Sequence, residues 1–251
     1  VDDLRDFASP ARRLGREFTL REITESTNDD ARALAAAGAP HGALVVADAQ
    51  TAGRGRLGRV WRSPAGENLY ASFVLRPAVT LTDAPSLSLV VGLAVAEAVA
   101  AHAPGADLRV KWPNDVRAGG KKLAGVLMEA SLRGAELAWV IVGVGINVRG
   151  AAPPAGVEDL ATTVRMVRGA DLSRGAVLAS LCTRLEERLE AFERGGFAAL
   201  RNAVAARCET LGARVTVGRE SGVAEGLDPT GALMLRRDDG TLAVIHVGDV
   251  G

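Results

Sequence analysis

The chain is expected to fold as an α/β (α+β) domain followed by a small all-β unit. Three observations carry this expectation. From Phe18 to Cys208, apolar or alternating stretches of strand length interleave with longer apolar or amphipathic stretches of helix length. From Ala213 onward the texture changes to short strands at close spacing, separated by turn residues. The composition, 48% hydrophobic and 24% charged over 251 residues, supplies a sizeable core and argues against wholesale disorder. We place the boundary near Leu211, giving units of residues 1–210 and 211–251.

The elements follow in order. Phe18 to Ile23 alternates as a strand does. Ser26-Thr27-Asn28 is an N-cap signal before the Ala-rich run Asp29 to Ala37, which Gly38 closes, so a helix is expected there. Ala43 to Ala47 is a short apolar strand. Gln50 to Gly66 is rich in Gly and Arg, aperiodic, and reads as a loop. Leu69 to Leu75 is a strand, and Ala84 to Ala101 is a long apolar helix against a sheet. Leu108 to Trp112 is a strand ended by Pro113. Lys122 to Ala130 and Leu137 to Val148 are two more, dense enough in apolar residues to be buried. Pro153-Pro154-Ala155-Gly156 marks a loop. Leu178 to Phe192 and Phe197 to Cys208 are amphipathic helices. Four short strands come last: Arg214 to Val217, Val223 to Leu227, Leu233 to Arg236 and Leu242 to Val247. A piece of about 40 residues built this way predicts a small barrel.

Composition excludes several classes. Basic and acidic residues balance at 30 each, so a generally basic nucleic-acid binder is not supported. No apolar run reaches membrane-span length without charge, because Glu97 and His102 interrupt the longest. The start of the chain has no signal-peptide pattern. Cys182 and Cys208 show no metal-ligand spacing and read as buried, reduced thiols. These features predict a cytoplasmic protein. Of the 30 basic residues only three are lysines, Lys111, Lys121 and Lys122, all within one short stretch. In an otherwise Arg-only chain, the surviving lysines are either a chance residue of the composition or mark a site that needs a compact point charge rather than a planar fork.

Five segments carry chemistry. Gly53-Arg54-Gly55-Arg56-Leu57-Gly58-Arg59 interleaves glycines, which let backbone N–H groups approach an anion, with forked cations. It should be mobile when empty and ordered around an anionic ligand. It lacks the Gly-Lys-Ser/Thr ending of a P-loop and the spacing of a dinucleotide fingerprint. Lys111-Trp112-Pro113-Asn114-Asp115 puts a polar pair at a strand end, though Pro-Asn-Asp is equally good turn chemistry. Gly119-Gly120-Lys121-Lys122-Leu123-Ala124-Gly125 feeds a flexible turn into a strand. There the two lysines point to opposite faces, so at most one enters a buried site. Gly143-Val144-Gly145-Ile146-Asn147 puts glycines inside an apolar strand, marking a close approach or a bulge. Ser26-Thr27-Asn28 by itself reads as helix capping.

Together, and in this order, the five segments closely resemble the biotin–protein ligase family. The resemblance is strong from Phe18 to about Val148 and looser in the small C-terminal unit. It implies a mixed, largely antiparallel central sheet with flanking helices, related to class II aminoacyl-tRNA synthetases, and an SH3-like C-terminal barrel. It also implies a two-step reaction. Biotin and Mg-ATP give biotinyl-5′-AMP and pyrophosphate, and the acyl group then passes to a lysine of a biotin carboxyl carrier protein domain.

By the same resemblance Lys122 lies between the biotin carboxylate and the α-phosphate, where a compact ammonium fits. Arg54, Gly55 and Arg56 close over the intermediate. Ser26, Thr27 and Gln50 face the ureido ring and Gly125 allows its close approach, with Asn28 and Gly53 completing the biotin side. Arg56, Arg59, Trp61, Lys111, Asn114, Lys122 and Asn147 form the ATP side. Asp115 orients or deprotonates the incoming lysine amine. The implied catalytic set is therefore Lys122, Arg56 and Asp115. Mg2+ is expected on the ATP, with no metal ligand from the protein.

Only 25 residues precede Ser26, fewer than the roughly 60 that a winged helix-turn-helix needs. The expectation is therefore a ligase without a repressor role, binding no DNA and no membrane. The short loop Gly150 to Val157 leaves the cover over adenine open, and both monomer and homodimer remain open. Two alternatives stand beside this reading: a lipoate–protein ligase, against which the Gly/Arg loop argues, and a non-catalytic biotin or adenylate-binding regulator, against which Lys122 and Asp115 argue.

Overall fold

A computed structural model describes residues 2–78, 80–134, 136–150 and 160–251. The expected loop Pro153-Pro154-Ala155-Gly156, and all of the stretch Gly150 to Val157 except Gly150, lie outside them. In chain order the elements are α1 (Asp2–Arg5), β1 (Phe18–Thr24), α2 (Thr27–Ala36), β2 (Leu44–Gln50), β3 (Leu69–Leu75), α3 (Leu87–Ala100) and β4 (Leu108–Lys111). There follow β5 (Asp115–Ala118), β6 (Lys121–Arg133), β7 (Glu136–Ile146), α4 (Val164–Arg168), α5 (Arg174–Gly195) and α6 (Arg201–Arg207). The last four are β8 (Arg214–Val217), β9 (Glu220–Leu227), β10 (Leu233–Arg236) and β11 (Leu242–Ile245).

Seven strands form one sheet in the order β1-β2-β3-β7-β6-β5-β4. Only the β1–β2 pair is parallel; every other neighbour is antiparallel. The mixed, largely antiparallel sheet is therefore present. Its two faces differ. On one, α3 and α5 pack over a large core that includes Phe73, Leu75, Val110, Val142, Val144, Leu181 and Leu185. The near-complete burial of α3, from Leu87 to Val99, explains why its sequence is apolar all round rather than on one stripe. On the other face, α2 covers only one end of the sheet through Ala31 and Ala35 against Val45, Val74 and Ile141. Beyond α2 the same face carries the Gly/Arg loop, with Trp61 over Gly145 and Gly125, and the functional side chains gather there.

Differences from the sequence expectation have local causes. β5 was hidden because Pro113-Asn114-Asp115 reads as a turn and the strand is only four residues long. β2 runs on to Gln50, past the apolar stretch, because its partner β1 continues to Thr24. The region 84–101 starts with a tight 3-10 turn at Ala84–Ser86 before α3 begins. Phe197–Ala199 is likewise a 3-10 turn ahead of α6. The short helix α4, capped by Thr163 and closed by Gly169 at φ 78°, was not foreseen.

The C-terminal unit is a four-stranded antiparallel sheet, β11-β10-β9-β8. Its β8 edge is extended by the tail, where Val250 bridges Val217. Trp112 joins this sheet to the main body. The indole is buried, its Nε1 donates to Gly231 O at 3.1 Å, and its backbone N–H donates to Thr210 Oγ1 at 3.0 Å. The Trp of the Lys-Trp-Pro-Asn-Asp segment is thus a structural rivet, and Asn114 and Asp115 beyond it are left to the site.

Candidate active site

The open end of the sheet is a trough made by glycines. In the strand register Tyr70 of β3 lies beside Gly145 of β7, Gly145 beside Gly125 of β6, and Gly125 beside Asp115 of β5. One row of neighbours therefore crosses four strands with two glycines at its centre. Two residues away along β7, Gly143 pairs with Ser72 and Leu127. A Cβ on Gly145 would come 2.6 Å from the Trp61 indole, and one on Gly143 would come 2.2 Å from Asn28 Oδ1. The glycines of the Gly-x-Gly segment are required by those two side chains. The register through them is unbroken, so they mark a close approach and not a bulge.

A bulge does occur one strand over, and it selects the lysine. Alternation counted back from Gly125 would put Leu123 and Lys121 on the trough face. Between Val116 and Arg117 of β5, however, the partner on β6 jumps from Ala124 to Lys122, skipping Leu123. The extra residue reverses the alternation and turns Lys122 toward the trough, which is the usual consequence of a β-bulge. Lys122 Nζ then lies 2.8 Å from Asp115 Oδ1 and 5.4 Å from the centre of the Trp61 ring. Leu123 goes to the core with no exposed surface.

Around this trough is a cleft of about 470 Å³, within the range of small-molecule sites. Among the described residues its walls carry five cations, Arg54, Arg56, Arg59, Arg62 and Lys122, against one carboxylate, Asp115. Its floor is made by the glycines and Leu127, with the backbone of Val126 and Val144, whose side chains turn to the core. Such a cleft fits an amphipathic anion: apolar body on the sheet, negative charge under the arginines.

The polar end is fully wired. Gln50 Oε1 accepts from Thr27 N–H at 2.9 Å and from its hydroxyl at 3.1 Å, while Gln50 Nε2 donates to Ser63 Oγ at 2.8 Å. Ser72 Oγ lies 2.8 Å from Thr27 Oγ1 and 2.7 Å from Asn28 Oδ1. Asn28 Nδ2 donates to Glu129 at 2.9 Å. Ser26 caps α2 differently from the usual pattern. Its side chain makes no cap bond; its backbone carbonyl accepts from Asp29 and Asp30 N–H. The Ser-Thr-Asn segment therefore holds a network at the cleft wall, beyond simple capping.

The arginine loop is held from two sides. Arg54 makes a forked pair with Asp29, at 2.7 and 2.8 Å. That bond outweighs burial and holds the Asp29 carboxyl below its ordinary value. Arg56 Nη1 donates to Asn114 Oδ1 at 3.0 Å, and Asn114 Nδ2 in turn donates to Val126 O at 2.9 Å. The loop was expected to order around an anionic ligand; in this structure protein carboxylates and amides stand opposite its arginines. Asn147 Nδ2 donates to Thr162 O at 3.1 Å, and residues 160–162 lie along the start of β6 through the Lys122–Ala161 bridge.

Of the residues singled out from sequence, Ser26, Thr27, Asn28, Gln50, Arg54, Gly55, Arg56, Arg59, Trp61, Asn114, Asp115, Lys122, Gly125 and Asn147 all line this one cleft. Gly53 and Lys111 do not. A Cβ on Gly53 would meet Trp61 O at 2.4 Å, so that glycine shapes the loop from behind. Lys111 sits on β4, one strand beyond Asp115, at the sheet edge. Sequence reading missed Arg62, Tyr70, Leu160 and Ala161 as lining residues. Tyr70 could have been found, since a lone Tyr in an apolar strand is a polar exception. Leu160 and Ala161 carry no such signal.

A sheet face that brings one lysine, three loop arginines and a wired polar pocket together defines a ligand-activating enzyme site. The chain belongs to the biotin/lipoate A/B protein ligase family, whose model matches residues 20–147, and a biotin protein ligase C-terminal domain matches residues 210–250. It is 41% identical over 225 residues to the biotin–[acetyl-CoA-carboxylase] ligase of Paracoccus denitrificans, covering 85% of this chain and 91% of that one. It is 34% identical to the bifunctional ligase/repressor BirA of Bacillus spizizenii, covering 94% of this chain and 74% of that one. The biotin protein ligase from Aquifex aeolicus, solved in complex with biotin and ATP, superposes with a TM-score of 0.80 at 33% identity, covering 94% of this chain and 98% of that one.

Proposed function

We propose that this chain is a biotin–protein ligase in which Lys122, at the trough centre, carries the first chemical step. The observation that supports it most is the bulge that turns Lys122, and not Lys121, into a cleft lined by the other motif residues. We further assign residues 1–210 to the catalytic unit and 211–251 to the C-terminal unit.

In the first step an oxygen of the biotin carboxylate attacks the α-phosphorus of ATP. The bond from that phosphorus to the bridging oxygen breaks, and pyrophosphate leaves. Two anions must approach, so the barrier is largely electrostatic, and fixed cations lower it. In this reading Lys122 Nζ sits between them, with Arg56 and Arg59 over the phosphates. Mg2+ bound to the ATP would supply further charge neutralisation. Thr27 is bonded to Gln50, and Asn28 to Ser72 and Glu129; a ureido ring would exchange into that network. Leu127 and the glycine floor take the rest of biotin.

In the second step the neutral amine of a carrier-domain lysine attacks the acyl carbon of biotinyl-5′-AMP. An amide bond forms, the acyl–phosphate bond breaks and AMP leaves. In this reading Asp115, 2.8 Å from Lys122 Nζ, orients the amine and accepts its proton. Among the described residues no helix is long and apolar enough to cross a membrane, and we assign the activity to the cytoplasm.

The test is incubation with Mg-ATP, a biotin carboxyl carrier domain and labelled biotin or labelled lipoate. The expected result is a biotin label on one carrier lysine and none from lipoate. Lipoylation without biotinylation would overturn the reading.

A further inference from the structure

The arginine loop meets one more carboxylate, and it comes from the far end of the chain. Arg56 Nη1 lies 3.2 Å from Asp249 Oδ1, and Arg59 Nη2 donates to Asp249 Oδ2. Both terminal nitrogens of Arg56 also reach Gly248 O at 3.4 Å. One carboxylate is thus split between two guanidinium groups of the loop.

The segment that presents Asp249 is itself fixed. Val250 bridges Val217, and Thr216 and Gly251 exchange backbone hydrogen bonds of 3.3 and 3.0 Å. Gly248 has φ 147°, and a Cβ there would come 2.3 Å from Val217 Cγ1, so only glycine lets the tail lie this close to β8. The tail is an added edge strand whose one acidic side chain points at the loop.

Arg54, Arg56 and Arg59 fall within six residues of each other, and Lys122 shares their cleft. Their mutual repulsion needs counter-charge when no ligand is bound. Asp29 supplies it to Arg54, and Asp249 supplies it to Arg56 and Arg59. Carboxylate and phosphate compete for the same forked donors, and a carboxylate left beside a polyphosphate would be repelled by it.

We propose that Asp249 is a positioning residue that serves as an internal counter-anion, latching Arg56 and Arg59 to the C-terminal sheet until the phosphates of the nucleotide displace it. The inference rests on the reading of the cleft as a nucleotide-using site. It gives the C-terminal unit a part in the reaction, because the loop that closes over the nucleotide is held by that unit beforehand.

The experiment uses the full chain with Asp249→Asn, which is isosteric and leaves the Val250 bridge intact, and Asp249→Glu as the conservative variant. Initial rates of biotin-dependent pyrophosphate exchange are measured with ATP varied. Limited trypsinolysis of the ligand-free proteins, read by mass spectrometry, reports cleavage after Arg56 and Arg59. The expected result for Asp249→Asn is a KM for ATP three- to tenfold lower, moving more than kcat, with the KM for biotin little changed. Loop cleavage rises at least threefold, and Asp249→Glu returns both readouts toward the parent. An unchanged or raised KM for ATP, or an unchanged cleavage rate, overturns the latch. A parent protein that shows no biotin-dependent exchange overturns the ligase reading instead, and the cleavage comparison still decides the latch.

Discussion

Replacing Lys122 probes the chemistry most sharply, because charge and shape can be varied separately. Lys122→Met removes the charge. A unit charge about 4 Å from charge developing on the α-phosphate contributes about 4 kcal/mol at an effective dielectric of roughly 20. The side chain is 34% exposed, and solvent screening brings this to about 3 kcal/mol. That corresponds to roughly a hundredfold loss in exchange rate. Lys122→Arg keeps the charge but not the shape. Lys122 Cε is 3.4 Å from where a Cβ on Gly125 would stand, and the Trp61 ring is 3.2 Å from the same point. A planar guanidinium must be displaced there, and a misplacement of about 1 Å costs up to a hundredfold. Lys122→Arg should therefore lose at least tenfold, while Lys121→Arg, on the other face of β6, stays within twofold. The assay is biotin-dependent pyrophosphate exchange at saturating biotin. Full activity in Lys122→Arg, or an equal loss in Lys121→Arg, would refute the point-charge argument and the role given to the bulge.

Three further outcomes follow from the geometry. Gly143→Ala places a methyl 2.2 Å from Asn28 Oδ1, so it should raise the KM for biotin at least tenfold and leave that for ATP within about threefold; equal shifts in both would contradict the division of the cleft. Gly145→Ala should push the Trp61 indole outward and shift tryptophan emission to longer wavelength, a change that vanishes in a Trp61→Phe background. Arg174→Met should be severely destabilising, because the fully buried guanidinium pairs with Asp3 and Asp48 at 2.8 and 2.7 Å. Breaking such a pair costs about 3–5 kcal/mol, or a melting-temperature drop of roughly 10 °C. Burial pushes both carboxyls up, but the bonds and charge of Arg174 outweigh it and hold them below the ordinary 3.8. Their contribution to stability is therefore present above about pH 3.8 and lost as the pH falls through the lowered values. Acid unfolding of the variant should be less steep below that pH, and identical slopes would contradict the assignment.

Most of the cleft was legible in the chain because its parts are local. A Gly/Arg loop, a Gly-x-Gly strand and a Ser-Thr-Asn helix start each announce a backbone that something approaches closely. The strand register then makes neighbours of Gly125 and Gly145, which lie 20 positions apart in sequence. What could not be read is long-range. The choice between Lys121 and Lys122 depends on a bulge set by the pairing of β6 with β5, and simple alternation does not reveal it. Trp112 and Lys111 look as functional as Asn114, yet the first binds the C-terminal sheet and the second sits at the sheet edge. The carboxylates Asp29, Glu129 and Asp249 gave no sequence signal, because their meaning lies in the arginines and the asparagine they meet after folding. The three lysines that stand out in an Arg-only chain thus lead to the site through Lys122 alone.

The central claim is that this cleft joins biotin to AMP and keeps the product. The most direct measurement is native mass spectrometry of the purified chain after mixing with biotin and Mg-ATP, followed by removal of free ligand. The expected result is retained biotinyl-5′-AMP, one per chain, lost in Lys122→Met. A chain that retains biotin and ATP unjoined, with no adenylate formed on any timescale, would contradict it.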